Sequence, residues 1–220
     1  MLEWIDIETE LTSAFTVLIM TAVAVFAVVW VLKTRAEQTP SQRASVWALA
    51  FGFLSVAGSL GFVGHAFVMS ENARAVLWQP LFLCLGLAVS MFAVGVIIDI
   101  TRTRVRAVIV AASAALAVVF YAMTIVFSGE FLVFVVYEAV IMMFAVVAYT
   151  GILVRRRARY ARWMLAGIVV SLLAATIQAT GAVSFRIIWE FDHNGVFHVV
   201  QTVGILLLVV GLRPVRAGSS

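Results

Sequence analysis

Long apolar runs alternate with short charged segments along the whole chain. With His counted as neutral, charge-free runs cover residues 11–32, 44–70, 75–98, 107–129, 163–185 and 194–212, and a seventh run, 131–154, carries the single acid Glu138. A bilayer core of about 30 Å needs about 20 apolar residues in a helix. Lipid offers the backbone no hydrogen-bond partner, so each run must satisfy its own amides as a helix. The pattern predicts an all-α bundle of seven transmembrane helices, with residues 1–220 forming a single membrane domain. Connections this short make neighbouring helices antiparallel.

Composition agrees. Hydrophobic residues make up 64% and charged residues 12% of the chain, with a mean hydropathy of +1.12, whereas soluble domains are near half apolar and a quarter charged. A soluble enzyme, a disordered chain, a disulfide-rich secreted domain and a nucleic-acid binder are all excluded. Membrane lipids are the expected surroundings and partners. The lone Cys84 has no internal disulfide partner.

The net charge of +4 sits in the loops. Of the 15 basic residues, Lys33, Arg35, Arg43, Arg102, Arg104, Arg106, Arg155, Arg156, Arg157, Arg159, Arg162, Arg213 and Arg216 fall on one side if the spans alternate. Only Arg74 and Arg186 fall on the other. The positive-inside rule then predicts an outside N-terminus and a cytoplasmic C-terminus, as in a bacterial inner-membrane protein. The first run is preceded by Glu3, Asp6, Glu8 and Glu10 and by no basic residue, unlike a cleaved signal peptide. The arginines of 155–162 read as a topology anchor, and Trp4, Trp78, Trp189 and Tyr121 as an interfacial belt.

Ionisable and polar residues within a span are expensive and mark functional sites by default. Here they gather toward the outer ends of their spans. His65 lies five residues before the end of the second span, Gln178 seven before the end of the sixth, and Gln79 four into the third. Glu138 lies seven residues into the fifth, and His198 and Gln201 four and seven into the last. The inner two thirds of the spans carry almost nothing stronger than Ser, Thr or Cys. Several of these groups share a helical face with small residues: Gly58 and Gly61 with His65, Gly181 with Gln178, Gly204 with Gln201. The expectation is an outward-opening polar pocket that includes Gln79, Tyr137, Gln178, Asn194 and Gln201.

All three histidines, His65, His193 and His198, fall in this layer. Catalytic zinc takes three protein ligands and leaves a fourth position for water. His65 and His198, completed by His193, Glu138 or Asp192, meet that count. A carboxylate not spent on the metal, Glu138 or Asp192, would serve as general base. Asp192 is equally a helix N-cap. His193 and His198 diverge by about 140° on a regular helix, so they share a ligand only if His193 precedes the helix. The predicted substrate is a lipid-like ester or amide in the outer leaflet.

The constellation resembles the superfamily of alkaline ceramidases and progestin/adipoQ receptors. Those are seven-span hydrolases or hydrolase-like receptors holding zinc with one histidine in span two and two in span seven. The resemblance implies His65 as the span-two ligand and His198 as one span-seven ligand. The position four before His198 is Asn194 rather than a second histidine, and the position four before His65 is Gly61 where the family has serine. The segment 191–198 also resembles an uncharacterised bacterial seven-span family. The alternative expectation is a non-enzymatic receptor or small-ligand-binding protein using the same pocket. Haem ligation by His65 and His198 ranks below both. The last span has no lysine for a Schiff base, which argues against a retinal pump.

Overall fold

A computed structural model describes residues 3–37, 40–127 and 131–213. Among them are seven helices: α1 Glu8–Lys33, α2 Gln42–Ala66, α3 Glu71–Thr101, α4 Ala107–Val126, α5 Phe131–Arg156, α6 Arg159–Thr180 and α7 His193–Gly211. Each is long and apolar enough to cross a membrane. The chain is therefore built as an integral membrane protein.

Helix ends follow local backbone chemistry rather than the limits of the apolar runs. The second helix stops at Ala66, because the backbone turns extended at Phe67 and residues 3–5 pair with 66–68 (Ile5 N to Ala66 O, 3.0 Å; Val68 N to Glu3 O, 2.9 Å). The sixth stops at Thr180, where Gly181 takes the left-handed conformation (φ 62°) that glycine adopts without Cβ strain. The chain between α6 and α7 departs from all-helix expectation. It forms a small hairpin, β1 Phe185–Arg186 against β2 Glu190–Phe191. Glu8 and Thr12 of α1 hold this hairpin: the Thr12 hydroxyl donates to the Glu190 carbonyl (2.8 Å), and the Glu8 carboxylate accepts from the Glu190 amide (3.0 Å).

Packing follows a closed circuit. Helices α1, α2, α3, α5, α6 and α7 each touch their two neighbours in that order, and α7 returns to α1. The remaining helix, α4, lies outside this ring against α3 and α5. Its window of highest hydropathy is mostly exposed, as suits a lipid-facing helix. At the α6–α7 seam the two backbones approach closely. A Cβ on Gly167 would stand 3.0 Å from the Gly204 carbonyl and 2.8 Å from Leu208 Cγ. Only a residue without a side chain fits there.

The arginine-rich end of the bundle corrects one expectation. Asp99 lies one residue past the expected end of the third span, but α3 runs on through Thr101, so the carboxylate is buried at 4% exposure. Arg43 of α2 donates to it through Nε (2.5 Å) and Nη2 (3.2 Å), and the buried Tyr149 of α5 through its hydroxyl (2.7 Å). Arg156 donates to the carbonyls of Asp99 and Ile100, where a cation suits the helix C-terminus. This half of the bundle is tied by charge as well as by apolar packing.

Candidate functional site

The ring of six helices encloses a cavity of about 730 Å³. Its lining runs along α2 from Trp47 to His65, about 27 Å at 1.5 Å per residue. The deep part is apolar, walled by Met20, Phe51, Phe92 and Leu208 among others. The polar part lies at the end that holds the start of α1 and of α7. Thr124 and Ile125 of the outlying α4 also line the cavity. The space therefore passes through the seam between α3 and α5 toward a lipid-facing helix.

His65 and His198 meet across the cavity, with ring centroids 5.9 Å apart and planes at 76°. Their tautomers follow from their neighbours. His65 Nδ1 lies 2.6 Å from the Glu10 carboxylate, which only accepts, so Nδ1 carries the proton. His198 Nδ1 lies 3.3 Å from the Thr16 hydroxyl, whose one proton goes to the Thr12 carbonyl (2.8 Å). His198 Nδ1 is therefore the donor in that pair. In the neutral ring each imidazole keeps its Nε2 lone pair free of these bonds.

A second chain of bonds is polarised in the same way. Asp192 caps α7, accepting from the Gly195 amide (3.0 Å), the Ser13 hydroxyl (3.0 Å) and the Asn194 amide (2.8 Å). Burial alone would push the Asp192 carboxyl up, but these three donors outweigh it and hold the group below its ordinary value. Because Asn194 gives its NH₂ to Asp192, its carbonyl faces Gln178 and accepts from Gln178 Nε2 (2.6 Å). Gln178 Oε1 is left buried with no donor, and so is Gln201 Oε1.

The structure thus brings His65, Gln79, Glu138, Gln178, Asn194, His198 and Gln201 to one cavity. Three other candidates stand apart from its lining. The Asp192 oxygens are committed to the cap. His193 is the first residue of α7, because the cap at Asp192 starts the helix there, so it does not turn back toward His198. Tyr137 packs instead on Phe120 (centroids 4.8 Å) and shares a hydrogen bond with Ser90 (2.7 Å). Among the described residues no three His, Cys, Asp or Glu side chains are arranged to hold a metal ion.

Sequence reasoning missed the contribution of α1. Glu10, Ser13 and Thr16 each hold a group of the site or its rim. Their spacing of three residues places them on one face of a helix, and that was the available signal.

A family model matches residues 12–217, a stretch that takes in all of the cavity lining except Glu10. The chain belongs to this family, a family of unknown function (DUF6962). No curated protein and no solved structure matches it.

Proposed function

We propose that this DUF6962 chain is a membrane-embedded binding protein for a lipid-like amphiphile, the receptor or small-ligand alternative expected from the sequence. One observation carries the reading: a long cavity inside the ring, apolar in its depth and polar at one end. Ligand sites of about 300–1,000 Å³ with an apolar wall and a few convergent polar groups are built for this. The lining contributed by α4 supports entry from the bilayer. The distribution of basic residues supports a polar end on the outer side of a bacterial inner membrane, with the N-terminus outside. The test is thermal stability in lipid nanodiscs with single-chain amphiphiles. Binding raises Tm in the native chain and fails in Leu54→Trp/Leu85→Trp, which fills the cavity from α2 and α3. If no single-chain amphiphile of any headgroup moves Tm, the reading is wrong.

The tautomers of His65 and His198 favour a second reading, the zinc-dependent lipid hydrolase. Both rings donate through Nδ1 to Glu10 and Thr16, as imidazoles that bind a metal through Nε2 do to hold their orientation. Zinc would supply a polarised carbonyl and an activated water. Elemental analysis decides it: stoichiometric zinc lost in His198→Ala supports the hydrolase, and metal-free native protein removes it.

A further inference from the structure

The polar lining of the cavity has a sign. Glu138 is 7% exposed, lines the cavity from α5, and has neither a hydrogen bond nor an ion pair among the described residues. A carboxyl left this way in a membrane span is costly unless something meets it. Other polar groups of the same lining are oriented by residues at the rim. Asp192 orients Asn194 and through it Gln178, whose Oε1 has no donor. Glu10 fixes the proton of His65 on Nδ1, and Thr16 does the same for His198. Gln201 Oε1 is buried without a donor as well, while the Ser171 hydroxyl and, in the deep part of the cavity, the Trp47 indole N–H are also buried without a partner. Among the described residues, the one basic residue in the lining besides the histidines is Arg74, in the first turn of α3 at the mouth. Glu10 and Glu71 lie at that same end.

The geometry points to an amphiphile with a protonated amine in its headgroup, held by Glu138 and by the acceptor oxygens of Gln178 and Gln201, with its alkyl chain toward Phe51 and Phe92. An alcohol headgroup offers a single donor to these acceptors, and a carboxylate would bring like charge to an ionised Glu138. An ammonium has three donors and no acceptor, which matches the lining. This inference rests on the amphiphile-binding reading and names the class of ligand.

The test uses the full chain in nanodiscs of zwitterionic lipid, titrated with an alkylamine, an alcohol and a carboxylate of one chain length. The tryptophans in the lining, Trp47 and Trp78, report occupancy by fluorescence. The amine is expected to bind at least roughly tenfold more tightly than the alcohol, as a charge-assisted bond out of water provides. Glu138→Gln should lose that preference, and a far-UV circular dichroism spectrum and melting temperature like those of the native chain show that the variant folds. Equal or tighter binding of the alcohol or carboxylate overturns the headgroup assignment and leaves the binding reading standing. An amine preference that survives Glu138→Gln, or that survives filling the cavity with Leu54→Trp/Leu85→Trp, overturns the assignment too. Failure of all three probes overturns the binding reading itself.

Discussion

Asp99→Ala should be among the most damaging single changes at the arginine-rich end. The Asp99 carboxylate accepts from Arg43 at 2.5 and 3.2 Å and from Tyr149 at 2.7 Å, with only 2% of its side chain exposed. Deleting it takes the Asp99 carboxylate from the Arg43 guanidinium, itself only 12% exposed. Breaking one side of such a pair costs about 3–5 kcal/mol. The contact between Arg186 and Glu8 provides the contrast. It has a similar separation, 2.9 Å, but side-chain exposures of 64% and 36%. Exposed pairs contribute about 0–1 kcal/mol, so Arg186→Ala should cost no more than that. Replacing both buried partners, as Arg43→Met/Asp99→Leu, should recover most of the loss, because removing both charges removes both desolvation costs. The assay is reversible unfolding in mixed micelles followed by far-UV circular dichroism. A cost below about 1 kcal/mol for Asp99→Ala would mean that water or lipid headgroups reach this pair, and the buried-network account would be wrong.

Other consequences are open to measurement. Asp192→Ala should lower stability by about 1 kcal/mol through loss of the α7 cap. The Asp192 carboxyl is held below its ordinary value, so its stabilisation is present above the unfolded carboxylate pKa of about 4 and is lost as pH falls through the folded value. Stability of the native chain should therefore drop on acidification below about pH 4 more steeply than that of Asp192→Asn, and parallel curves for the two would refute this assignment. Gly167→Val should destabilise by about 1–3 kcal/mol or loosen the α6–α7 seam, since its Cβ meets the Gly204 backbone. A native melting temperature in Gly167→Val would show that the seam has slack.

The helices were legible because lipid admits only one spanning backbone at this composition, and the runs of charge-free sequence report it directly. Their ends were not, since an apolar run does not reveal where hydrogen bonding stops. Gly181 ends α6 five residues before the run of 163–185 does, and the pairing of Ile5 with Ala66 ends α2 before Ser70. This shifts depth. His65, placed five residues inside its span, lies in the last turn of α2 and so comes within reach of Glu10 in the first turn of α1. Asp99 shows the same effect in the other direction, because a boundary drawn at the first charge puts a buried acid outside the membrane.

The two ends of the bundle treat their charges in opposite ways, and this difference bears on function. At the arginine-rich end, Asp99 has every near donor it needs, so that end is closed as a structural unit. At the other end the acids Glu10 and Asp192 are satisfied at the rim, yet they orient the side chains behind them so that acceptors face inward. Helix-to-helix adhesion alone would be served best by groups that satisfy one another, as those around Asp99 do. Glu138, Gln178 and Gln201 break that rule as acceptors in the same cavity, whose lining also carries the unpartnered Ser171 hydroxyl and, deeper, the Trp47 indole N–H. A single unmet acceptor is explained by local packing; three with a common sign, converging on one apolar space, are explained by a donor that the chain itself does not supply.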